Sequence, residues 1–153
     1  MYAAFLFLHS WMRWLVVAVA IVTVVRAWRG WMKNRPWDRR DEQLARAFPV
    51  LVDVQVLLGL ILFVALSPDT SGLLTEGVTA LNNERARFWT MEHAVPMVAA
   101  LVLTHVGQVF IRRSFHDMAK HRWAAVVFGL AAVIMLLSIP WPFSPNGRPL
   151  FRV

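Results

Sequence analysis

The chain has 153 residues, of which 58% are hydrophobic and only 16% charged, with a mean hydropathy of +0.53. Soluble domains carry about 25% charged residues, and disordered chains and coiled coils still more, so the composition predicts a membrane protein and excludes those classes. The absence of cysteine removes disulfide frameworks, iron–sulfur clusters, thiolate zinc sites, covalently attached haem and cysteine nucleophiles, leaving His, Met, carboxylate or backbone to hold any cofactor.

Four stretches are long and apolar enough to cross a bilayer, at about 3–28, 48–67, 88–111 and 122–139, given that about 20 helical residues span the hydrocarbon core. The first has no basic region before it and no small-residue cleavage site after it, and is read as a retained helix. The gap at about 29–47 contains Arg35-Pro36 and, with the adjoining helix ends, a run of arginines and lysines from Arg26 to Arg46. The gap at about 112–121 is flanked by Arg112, Arg113, Lys120 and Arg122. Loops rich in Lys and Arg stay in the cytoplasm. The N-terminus, the loop at about 68–87 and the tail at 140–153 then face outward. The net charge of +7 and pI near 11.5 are therefore read as membrane topology, with no nucleic-acid role. Ser67-Pro68 stops the second crossing, the 68–87 loop has room for a short surface helix around 74–82, and Pro140, Pro142, Pro145 and Pro149 forbid extension of the fourth. Trp11, Trp14, Trp28, Trp31, Trp37, Trp89, Trp123 and Trp141 lie near helix ends, as interfacial belts require. The predicted fold is all-α: one integral membrane domain, an up-and-down four-helix bundle with both termini on the periplasmic side of a bacterial inner membrane.

Ionisable groups at membrane depth cost about 2.5 kcal/mol or more, so those present face the bundle interior with partners or a task. His9 on the first crossing and His93 on the third lie at similar depth below the outer ends of helices that run in the same direction. Two level imidazoles are what a b-type haem requires, one axial nitrogen from each side. Trp89 and Met97, at i−4 and i+4 from His93, share its face. Arg85 and Arg87, at the outer mouth, are placed to neutralise haem propionates. Arg13, one turn deeper than His9, is expected to form a buried ion pair with Glu92. On the inner half, Asp53 and His105 are also level, and with Gln55 and Gln108 are expected to form a polar cluster whose simplest task is interhelical hydrogen bonding. Gly59 and the Ala125/Gly129 pair permit close helix approach. A second haem would require His116 or His121. Met91-Glu92-His93 lacks HExxH spacing, which argues against a hydrolytic zinc site.

The segments His9-Ser10-Trp11-Met12-Arg13-Trp14, Arg87-Phe88-Trp89-Thr90-Met91-Glu92-His93, Lys120-His121-Arg122 and Ile139-Pro140-Trp141-Pro142-Phe143, in this order, resemble short bacterial four-helix membrane proteins of the cytochrome b-like type. The resemblance spans nearly the whole chain. It implies a membrane-bound, haem-carrying protein with its site at His9, Glu92 and His93. The family's proline directly after the third-helix histidine is displaced here, since Ala94-Val95 precede Pro96. The reading that results is an electron-transfer cytochrome with one haem b, working with a quinol or a redox partner subunit in the bilayer, and compatible with a homo-oligomer. The alternatives are a non-catalytic accessory or scaffold subunit, for which the Pro-rich tail is a docking element, and a small proton-coupled transporter using Asp53 and His105.

Overall fold

The computed structural model describes residues 1–67, 70, 75–144 and 146–151. Four helices long and apolar enough to cross a membrane carry the fold: α1 Tyr2–Met32, α2 Arg39–Leu66, α3 Glu84–Arg113 and α4 Asp117–Ser138. No strand occurs among the described residues. Each of the four stretches expected to cross a membrane is a helix, but each helix outruns its predicted bounds at one end or both. At about 1.5 Å per residue, α1 is about 46 Å long, more than the roughly 30 Å that a hydrocarbon core requires. The tight α1–α2 connection follows from local chemistry. Asp38 caps α2 by accepting from the Asp41 backbone N–H at 2.9 Å, and the Asp41 carboxylate accepts from the Asp38 N–H at 3.1 Å. That reciprocal box starts α2 nine residues before the apolar run does. Asn83 starts α3 in the same way, accepting from the Arg85 and Ala86 N–H groups. In the loop before it, Gly77–Asn82 form a 3-10 turn. The expected surface helix is thus present in its second half, while Leu74 lies outside the described residues, as do Pro68 and Pro145.

Buried positions on each helix recur every three or four residues: Val16, Ala20, Thr23, Ala27 and Gly30 on α1, and Ala100, Thr104, Gly107 and Ile111 on α3. Small residues on these stripes let the helices approach closely, because inside a bilayer the attraction between helices is packing rather than water release. Phe48 of α2 and Phe128 of α4 meet at the centre, edge to face at 5.3 Å. A methyl on Gly107 would lie 2.8 Å from the Phe128 ring, so that glycine makes the room the ring occupies. Large apolar side chains such as Leu15, Ile21, Leu57, Val102 and Leu137 point outward, the inverse of a soluble bundle.

Three helices contain wide π-type turns: Leu62–Leu66 in α2, Phe88–Ala94 in α3 and Ala124–Phe128 in α4. The one in α3 has an evident cause. Pro96 has no N–H for the Glu92 carbonyl and its ring crowds that oxygen, so the backbone before it winds more loosely. His93 lies inside this turn.

Candidate functional site

The site is assembled where proline chemistry ends α4. Within a continuing helix the Leu136 and Ser138 carbonyls would accept from residues 140 and 142, but both are proline and have no N–H. The Leu136 oxygen accepts instead from the Trp141 indole at 2.9 Å. The Ser138 oxygen accepts from His93 Nδ1 at 2.8 Å. A carbonyl only accepts, so Nδ1 carries the hydrogen and Nε2 carries the lone pair. Metal-binding imidazoles are commonly held in this way by a hydrogen bond from the distal nitrogen.

His9 faces His93 across the bundle, with ring centroids 6.3 Å apart and planes at 75°. Its surroundings come from α2. The Gln55 amide donates to the His9 carbonyl at 3.1 Å and lies 3.2 Å from both ring nitrogens. One helical turn further, a methyl on Gly59 would lie 3.1 Å from His9 Cε1, so Gly59 provides the wall against which the ring packs. The Gln55 carbonyl oxygen is buried and accepts no hydrogen bond among the described residues. Gln55 therefore belongs to the histidine pocket rather than to the inner polar cluster expected from its depth.

The two histidines line a cavity of about 150 Å³ that draws on all four helices and the tail. Trp89 and Met97 line it as their spacing predicts, and the Trp89 ring stands edge-on to His93 at 5.4 Å. The remaining lining is mostly apolar, including Val17, Leu60, Phe63 and Met135.

The cations differ from those expected. Arg85 is exposed, and Arg87 lines a separate cleft with Glu84, Glu92, Trp141 and Phe143, so neither lines the histidine cavity. Arg13 and Arg148 do. Arg148 reaches there because the tail folds back: its N–H donates to the Pro140 carbonyl, and its guanidinium lies 5.2 Å from the Trp89 ring centre. The expected Arg13–Glu92 ion pair is not formed. Glu92 is one position from His93, which turns it by about 100° onto an exposed side of α3. Arg13 donates to the Leu150 carbonyl at 2.7 Å, and Trp14 to the same oxygen at 3.0 Å. Phe151 stacks on Trp14 at 5.5 Å and meets Trp11 at 5.7 Å. The tail thus forms the roof of the cavity, a role that proline content alone does not reveal.

The second level pair meets as well. His105 Nε2 donates to Asp53 Oδ1 at 2.8 Å. The pair lies on the outside of the bundle, with side-chain exposures of 50% and 44%. Gln108 bonds to neither residue among the described residues, so the expected four-residue cluster reduces to two.

The opposite end is closed by charge. The Asp41 carboxylate, 2% exposed, receives Arg26 at 3.0 Å and Arg35 at 2.6 Å, and both arginines also bind Asp38. Asp38 is held down to about 2, first by the Asp41 backbone N–H and then by the Arg26 and Arg35 guanidiniums. Behind this cluster His121 is fully buried, 4.9 Å from the Trp37 ring and directly over Gly30, with neither ring nitrogen hydrogen-bonded among the described residues. His116 is exposed, just before α4. No group of three or more His, Asp or Glu side chains converges as a metal site among the described residues.

The ring spacing suits an iron held between the two imidazoles, whereas the cavity, at about 150 Å³, is of the size that takes a benzene ring, so a porphyrin would require the tail or the helices to part. Two metal–imidazole bonds of about 2 Å, plus the distance from each nitrogen to its ring centre, place the centroids about 6 Å apart. Two arginines line the same cavity, where carboxylates of a bound group would need them. Comparison of the chain with protein-family models, with curated proteins and with solved structures finds no match.

Proposed function

We propose that the protein is a membrane-bound b-type cytochrome of the bacterial inner membrane, holding one haem between α1 and α3 and passing electrons to or from a quinol or a redox partner subunit. The carrying observation is the pair of facing imidazoles 6.3 Å apart, one of them fixed as the Nδ1–H tautomer by the Ser138 carbonyl. In this reading the bundle runs up and down with both termini outside, and the arginine-rich connections lie in the cytoplasm.

A haem so placed supplies one-electron chemistry. The protein's residues do the rest. His93 presents Nε2 to the cavity with its ring orientation locked. His9 is positioned by Gln55 from one side and by the close wall of Gly59 from the other. Trp89 and Met97 would pack against the macrocycle, Arg13 and Arg148 would meet its carboxylates, and the tail segment at Arg148 and Pro149 would limit access of water. The accessory-subunit reading loses support from the same roof, because the tail packs on α1 rather than standing free.

Protein purified from a haem-sufficient host should show a Soret band and a reduced-minus-oxidised spectrum of two-histidine character. His93→Ala and His9→Ala should each abolish it while leaving helical content intact. Absence of the band from the wild type, or its persistence unchanged in both variants, overturns the proposal.

A further inference from the structure

The Gln55 amide is held in one orientation. The His9 backbone carbonyl only accepts, so the NH2 end of the amide faces it at 3.1 Å and Oε1 points away. That oxygen is buried and accepts nothing among the described residues, on a side chain that lines the histidine cavity. A buried acceptor left unpaired is costly, so a donor beside it is strongly favoured. His93 offers a second acceptor. Its Nδ1–H is given to the Ser138 carbonyl. The charged side chains lining the cavity are Arg13 and Arg148, with no carboxylate among the described residues there to balance an imidazolium. The ring is therefore neutral, and Nε2 presents a lone pair.

These features select a ligand by exclusion. Two acceptors call for a donor. Two guanidiniums without a carboxylate reject a cation. A mostly apolar lining and a volume of about 150 Å³, enough for a benzene ring, admit one flat ring and no fused pair. A neutral hydroxyaromatic meets all of these conditions. We propose that the closed, haem-free cavity binds such a ring, a phenol or a single-ring quinol, with one hydroxyl donating to Gln55 Oε1 and a second, where present, to His93 Nε2. An oxidised quinone carries acceptors only and leaves both atoms unmet, so the reduced form is selected. Ring and haem contend for the same imidazole, and the ring site stands whether or not the haem reading does.

Full-length protein from a haem-deficient host, held in detergent, can be titrated with phenol and with toluene, a near-isostere that lacks the donor. The methyl signals of isotope-labelled Met97 and Met135, which line the cavity, report binding there and separate it from uptake by detergent. Phenol should bind about tenfold or more tightly than toluene. Hydroquinone should bind more tightly than benzoquinone, and a naphthalene diol should leave both signals unmoved. Gln55→Met, close in volume, should lose most of the phenol preference while toluene still binds, and Val17→Phe, which fills the cavity, should exclude both. A decyl-substituted hydroquinone identifies the source: tighter binding than hydroquinone marks a lipid-soluble quinol and weaker binding a soluble phenol, and either supports the site. The ring site is overturned if the haem-free chain does not fold, or if folded wild type binds phenol no better than toluene, as a cavity holding only water at Gln55 would. Benzoquinone binding as tightly as hydroquinone overturns it too, as does a full phenol preference in folded Gln55→Met. The wild-type comparisons decide the matter even where a variant fails to fold.

Discussion

Each end of the bundle holds buried histidine against glycine, and the two ends use that arrangement in opposite ways. At the tail end, His9 and His93 border a cavity, each has a hydrogen-bonding neighbour, and the methyl that Gly59 lacks would sit 3.1 Å from the nearest ring atom. At the arginine-rich end, His121 is fully buried with no hydrogen-bond partner among the described residues, and the missing methyl of Gly30 would fall directly within its ring. One end keeps imidazoles accessible and oriented, as binding requires. The other uses an imidazole as a packing piece and relies on the Arg26, Arg35, Asp38 and Asp41 cluster for polar closure.

The comparison is broken most severely by Gly30→Ala. The added carbon has no room unless His121 leaves its slot, and overpacking of this kind costs about 3 kcal/mol. Denaturation in detergent, followed by helicity, should show that loss or a failure to fold. A melting point within a degree or two of wild type would mean that the His121 slot is not tight.

Gly59→Ala sharpens the contrast. An Ala in mid-helix gains about 1 kcal/mol over Gly, and the contact asks His9 to move by only a few tenths of an ångström. Stability should change by roughly 1 kcal/mol or less, while the proposed haem spectrum or its midpoint potential shifts. A large stability loss with an unchanged spectrum would reverse the roles assigned to the two glycines.

The smallest effect is one of acidity. Asp38 has its pKa lowered in the folded protein from 3.8 to about 2, so its contribution is fully present above the ordinary value and is lost as pH falls from about 4 through 2. Amide exchange at Arg40 and Asp41, at the start of α2, should quicken in that window ahead of amides near His9. Uniform quickening at both ends would show that the charge cluster does not set local stability.

Much of this was legible in the sequence because depth in a membrane helix can be counted. Counting residues from helix ends brings His9 level with His93 and Asp53 level with His105, and both pairs meet. Rotation about the helix axis cannot be counted so simply. Glu92 turns away from Arg13, and the wide turn before Pro96 shifts the phase of everything above it. Gln55, two residues from Asp53, lies about 200° around α2 and so faces His9 rather than His105. The roles of Ser138 and Arg148 depend on a chain reversal after α4. Even so, the prolines at 140 and 142, each four residues beyond a carbonyl they cannot satisfy, are a visible signal that those oxygens need other donors.

The roof of the cavity has a consequence for biogenesis. Leu150 and Phe151 are translated only after all four crossings, so the ribosome delivers an inserted bundle whose histidine pocket is still open from above. Any bulky prosthetic group has its easiest entry in that interval, and docking of the tail onto Arg13, Trp11 and Trp14 then covers part of the opening. Loading and closure are therefore ordered by the direction of protein synthesis, without a dedicated hinge.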